Sequence, residues 1–96
     1  MSAVTYVRAG DPVEWGKPMG PSAGPRTWRP VVPHPDRPAA FADDFALVTC
    51  HRGHECMLSA RVHRVAADGT VTPSCVCPVQ GCDGHEFIVL GGWSPA

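Results

Sequence analysis

No stretch of this sequence approaches the roughly 18 apolar residues that a membrane-crossing helix requires, and no basic-flanked apolar run with a small-residue cleavage site opens it. The expectation is a protein without membrane association or signal peptide that folds in a reducing cytosol. Also missing is a Lys/Arg stripe. The formal net charge is -1, with residues 1–40 at +2 and residues 41–96 at -3, too even a balance for the electrostatic footprint of a nucleic-acid binder. The chain has no His-Glu-x-x-His helix, no deaminase-type His-x-Glu with a paired Cys-x2-Cys, and no phosphate-cradling glycine loop. With those signatures absent, the sequence reads as non-enzymatic.

What is present is a dense set of metal-type side chains. A chain of 96 residues makes one domain at most and buries a marginal core, so a staple is expected. Cys50, Cys56, Cys75, Cys77 and Cys82 all fall in the second half, with His51, His54, His63 and His85 among them. An odd number of cysteines does not suit a fully paired disulfide framework, and in a reducing compartment clustered Cys and His more often hold a metal. The expected cofactor is one structural Zn2+.

Eight of the eleven prolines lie in residues 1–40. Proline removes a backbone donor and holds its predecessor extended, so this stretch is expected to form neither a long helix nor a central strand. Residues 1–40 therefore read as an extended proline-rich N-terminal arm and linker, and 41–96 as the folded domain. Tyr6, Trp15, Trp28 and Val31 are more apolar than a solvated tether needs. They are the candidate partner-binding anchors of the arm, laid against its own domain or another subunit.

Within 41–96, Phe45–Thr49 reads as a strand ending on Cys50, and Cys56–Ala66 as a longer one. Asp68-Gly69 signals a hairpin. Residues 71–77 form its return strand, broken at Pro73, and His85–Leu90 a last apolar strand. Tetrahedral zinc asks for four Cys or His donors. Cys50 and His54 (C-x3-H) with Cys77 and Cys82 (C-x4-C), separated by 22 residues, are the expected quartet. His51, Cys56, Cys75 and His85 are the alternative ligands. Cys56 and Cys75 otherwise read as small buried apolar residues, and Asp83 or Glu86 as carboxylates able to orient a liganding histidine.

This organisation resembles a zinc ribbon, in which two knuckles at the ends of β-hairpins hold one zinc. More narrowly, Cys50-His51-Arg52-Gly53-His54, the Ala66–Val71 hairpin and the His85–Trp93 strand resemble small uncharacterised phage and bacterial zinc-ribbon-like proteins. The resemblance covers about half the chain and leaves the arm outside it. It implies a small all-β fold of antiparallel hairpins stapled by one metal at Cys50, His54, Cys77 and Cys82. Cys75 and the expanded Cys77–Cys82 turn depart from that pattern. The expected function is a structural or interaction protein docking to a larger assembly such as capsid or tail subunits of a virion, cytoplasmic before assembly. The alternative is a zinc-ribbon regulator binding nucleic acid or a polymerase.

Overall fold

Two nearly proline-free windows in the first forty residues decide the architecture. The computed structural model describes residues 3–94, so Met1, Ser2, Pro95 and Ala96, at the outer ends of the expected arm and domain, lie outside the described residues. Val4–Arg8 forms strand β1, and Thr27–Pro30 forms β2 with its only proline at the last position. The other elements are a 3-10 turn at Ala39–Phe41, β3 (Asp44–Thr49), β4 (Glu55–Ser59), β5 (Arg64–Val65), β6 (Val71–Thr72), β7 (Cys75–Val76), β8 (His85–Glu86) and β9 (Ile88–Leu90). No helix among the described residues is long and apolar enough to cross a membrane.

The fold is a small all-β domain built on a mixed five-stranded sheet of order β4-β3-β2-β1-β9. β1 runs parallel to both β2 and β9, whereas β2, β3 and β4 pair antiparallel. The expected boundary at residues 40/41 thus cuts through a single sheet, and the arm supplies two of its inner strands. Proline does not exclude inner strands here because Pro12, Pro18, Pro21 and Pro25 cluster in the crossover between β1 and β2. Strands of five and four residues fit between the breakers.

Side-chain alternation divides the sheet into two faces. Tyr6, Trp28, Ala46, Val48, Leu58, Ile88 and Leu90, joined by Val71, form the core on the inner face. Trp28 donates its indole N–H to the Gly91 carbonyl at 2.9 Å and packs 5.9 Å from Trp93. Tyr6 and Trp28 are each only 2% exposed and Val31 9%. This corrects their assignment as partner anchors, because the apolar area that made them look adhesive is spent on the chain's own core. Trp15 alone of the four stays exposed.

Small hairpins close the inner face. Ala66–Thr70 forms the expected turn, and Gly69 suits it twice, by its φ of +94° and because a Cβ there would stand 2.4 Å from the Leu90 carbonyl. It brings Thr70 against Val89. The expected long strand from Cys56 to Ala66 instead breaks at Ser59. The Ser59 hydroxyl accepts the Arg61 N–H at 3.2 Å, and the chain turns through the His63 N–H to Ser59 carbonyl bond at 2.9 Å. The last expected strand also divides, at Phe87, into β8 and β9.

On the outer face the β1–β2 crossover is pinned by Arg29, a buried residue that donates to the Met19 carbonyl at 2.5 Å and to Glu55 at 3.3 Å. Val13, Val31 and Leu47 make a second, smaller cluster beneath it. The cover is partial. A trough of about 590 Å³ stays open, with Trp15, Met19, Phe41 and Met57 on its walls.

Candidate metal centre

Both knuckles sit at the tips of hairpins. β3 and β4 pair from Asp44↔Ser59 to Thr49↔Glu55, and residues 50–54 turn the corner, the Cys50 N–H bonding the His54 carbonyl at 2.8 Å. Gly53 holds the turn at φ +88°. The second knuckle joins β7 to β8, where the Cys77 N–H meets the Gly84 carbonyl at 2.7 Å and the Cys82 N–H the Val79 carbonyl at 3.0 Å.

The two tips bring Cys50, His54, Cys77 and Cys82 together with one donor atom each, all within 4.8 Å of one another. Cys50 Sγ lies 3.9 Å from Cys82 Sγ and 3.7 Å from His54 Nδ1, which is also 3.7 Å from Cys77 Sγ. Donors at ordinary zinc distances stand about 3.5–3.8 Å apart at the corners of a tetrahedron, whereas sulfurs of a disulfide stand about 2.05 Å apart. The spacing fits an ion and excludes a bridge. A Cys3His set of this size is consistent with a structural Zn2+ site and with a zinc-ribbon-like arrangement. Four protein donors complete the shell of a tetrahedral ion and leave no position for water.

Backbone N–H groups support the sulfurs. Arg52 donates to Cys50 Sγ and Gly84 to Cys82 Sγ, each at 3.4 Å. Burial works against a Cys50 thiolate, but the N–H groups of Arg52 and His54 and the neighbouring thiols outweigh it and hold Cys50 below the usual thiol range.

The alternatives are placed elsewhere. His51 reaches Asp83 at 3.3 Å, and His85 meets the Ser74 hydroxyl at 2.7 Å. Cys56 and Cys75 are free thiols packed against the core, and burial raises both, Cys75 to about 11.

Neither expected carboxylate orients the liganding histidine. Asp83 reaches back to the first knuckle, accepting from Arg52 at 2.7 Å. The Arg52 guanidinium holds its carboxyl down at about 2. Glu86 accepts the Tyr6 hydroxyl at 2.7 Å and a two-point contact from Arg26 at 3.0–3.3 Å. Burial opposes its charge, yet those bonds leave its pKa below the ordinary carboxylate value.

No family model, curated protein or solved structure matches this chain.

Gly84 is the residue that sequence reasoning missed. It is buried in the cradle between the knuckles, and a Cβ there would lie 3.0 Å from Cys77 Cβ, 3.3 Å from Cys82 Sγ and 3.5 Å from Cys50 Cβ. Its position two residues after Cys82, where an N–H can reach back to sulfur, was the available signal. Gly84→Ala keeps the N–H to Cys82 but sets a Cβ against both knuckles, and is expected to weaken zinc affinity by about 10–100-fold, the size of effect that displaced supporting groups around a metal have. Competition against a chromophoric chelator measures it, and unchanged affinity would show that the cradle has slack.

Proposed function

We propose that this protein is a non-enzymatic interaction component that docks onto a larger protein assembly. The observation that carries this reading is the pairing of a closed four-donor centre with an open apolar trough on the other side of the sheet. A saturated structural zinc stiffens a small domain and offers no reactive position. Trp15, Met19, Phe41 and Met57, 36–49% exposed, supply the aromatic and thioether surface that protein interfaces favour. The docking surface is then this trough, not a free arm.

The charge pattern favours a protein partner over nucleic acid. Arg26 and Arg29 are engaged with Glu86 and Glu55, and Arg52 and Arg61 with Asp83 and Asp43. Those pairings remove cations from the supply a phosphate backbone would need. The resemblance to phage zinc-ribbon-like proteins makes a virion accessory subunit, cytoplasmic until assembly, the specific form of the proposal.

Co-expression with the capsid and tail subunits of the same genome tests it by sedimentation of assembled particles. The expected result is incorporation of the native chain and at least a tenfold loss for the Trp15→Asp/Phe41→Asp double variant, with its melting temperature unchanged. Absence from particles, or binding to DNA or RNA that weakens steeply with salt, would replace this reading with the regulator alternative.

A further inference from the structure

The curled sheet does not close. β7 pairs only with β8, which continues into β9, while β4 pairs only with β3 among the described residues. Between β4 and β7 lies a cavity of about 40 Å³, large enough for one ion or one water. Its walls include Cys56 from β4, Cys75 from β7 and His63 from the turn after β4, and it adjoins the first centre, since Cys50 and Cys77 line it too, with His85 and Glu86. His63 Nδ1 is a buried polar atom with no hydrogen-bond partner, and among the described residues no other side-chain nitrogen or oxygen is in that position. The metal quartet does not use Cys56, Cys75 or His63.

We propose that Cys56, Cys75 and His63 form a second metal site, for a divalent thiophilic ion such as Zn2+ or Cd2+, in the seam between β4 and β7. The inference stands apart from the docking reading. Two sulfurs and an imidazole nitrogen make a soft donor set of the kind such ions select. Coordination would release the two thiol protons, and two thiolates, a neutral imidazole and a divalent cation sum to zero charge. That neutrality suits a half-buried seam, where a net charge would be costly. The ion would also give His63 Nδ1 the partner it lacks.

Strand periodicity explains why the site lies where it does. Cys56 lies two residues after His54 and Cys75 two before Cys77, so each sulfur stands one strand repeat inward from a knuckle ligand of the first centre. Among the described residues only the quartet has its donors within 4.8 Å of one another, so loading the second site draws β7 toward β4. β7 is two residues long and half of it, Val76, is exposed, and its shift is limited to what Cys77, held at its end by the first centre, allows. With only three protein donors, this site keeps an open coordination position.

Native mass spectrometry of the full chain titrated anaerobically with Cd2+, together with sulfur-to-cadmium charge-transfer absorption, tests the proposal. Wild type is expected to take up two ions and the Cys56→Ser/Cys75→Ser variant one, the first ion serving as the folding control in both. His63→Gln is expected to weaken only the second ion, by at least the roughly 10–100-fold that loss of a mere supporting group costs. Saturation of wild type at one ion would overturn the site and leave a water-sized void. A second ion that persists without Cys56 and Cys75, or a Cys56–Cys75 disulfide in the protein as purified, would overturn it equally.

Discussion

Removing zinc from the Cys50, His54, Cys77 and Cys82 quartet is expected to unfold the protein cooperatively, not merely to loosen two turns. A structural zinc contributes roughly 10–16 kcal/mol of apparent binding free energy in small zinc-binding peptides at neutral pH. A domain of this size has only about 5–15 kcal/mol of net stability in total. The ion's share therefore equals or exceeds the whole margin.

The route of propagation is short, because among the described residues the β3–β4 hairpin and the β7–β8 hairpin are joined at their tips by the quartet and the exposed bridges to Asp83. Chelation under reducing conditions, followed by circular dichroism and tryptophan fluorescence, should show loss of strand signal and exposure of Trp28 and Trp93. The same loss should appear in Cys77→Ser without chelator and reverse when zinc is returned to the wild type. If the metal-free protein kept its melting transition within a few degrees, the ion would be a passenger on a self-sufficient sheet. Acid should reproduce the effect, since thiolates and imidazole must be free of protons to bind.

The metal centre was legible because ligand chemistry is local. C-x3-H and C-x4-C each fit one tight turn, and Gly53 and Gly81, at φ +88° and +83°, mark where those turns reverse. The Asp68-Gly69 hairpin was legible for the same reason. What could not be read was long-range pairing. Val4–Arg8 looks like a fragment of a tail until its neighbours are known, because its register partners Ile88–Leu90 lie more than eighty residues away. Its parallel pairing leaves no turn signal in the sequence.

Composition misled at the same place. Counting prolines over forty residues averaged breakers in a loop with two strands that they only border. Tyr6 and Trp28 were singled out correctly as too apolar for a tether, yet the choice between their own core and another subunit depends on topology. The destinations of Asp83 and Glu86 were illegible for a related reason. Arg52 and Arg26, which claim them, lie 31 and 60 residues distant.

The same topology gives the second large prediction, that residues 41–96 expressed alone do not fold even with zinc in excess. β1 and β2 stand between β3 and β9 in the sheet order. Deleting the first forty residues would leave the β3–β4 hairpin and β9 as separated edges, with the ladders of β2 on β3 and β1 on β9 unmade. It would also remove Tyr6 and Trp28 from the core. Burial of these two side chains alone is worth roughly 4–6 kcal/mol, taking about 2–3 kcal/mol for each, comparable to the stability of a small domain. Zinc can still gather the two knuckles of the fragment, but part of its binding free energy must then order a chain with no other core, so its affinity should drop by at least about a thousandfold. Calorimetry and amide exchange on the fragment make the comparison: no cooperative melting and no slowly exchanging amides in Asp44–Thr49 are expected. A sharp transition in the isolated fragment would restore the division into arm and domain, free β1 and β2 to pair elsewhere, and return Tyr6 and Trp28 to the role of anchors for a partner.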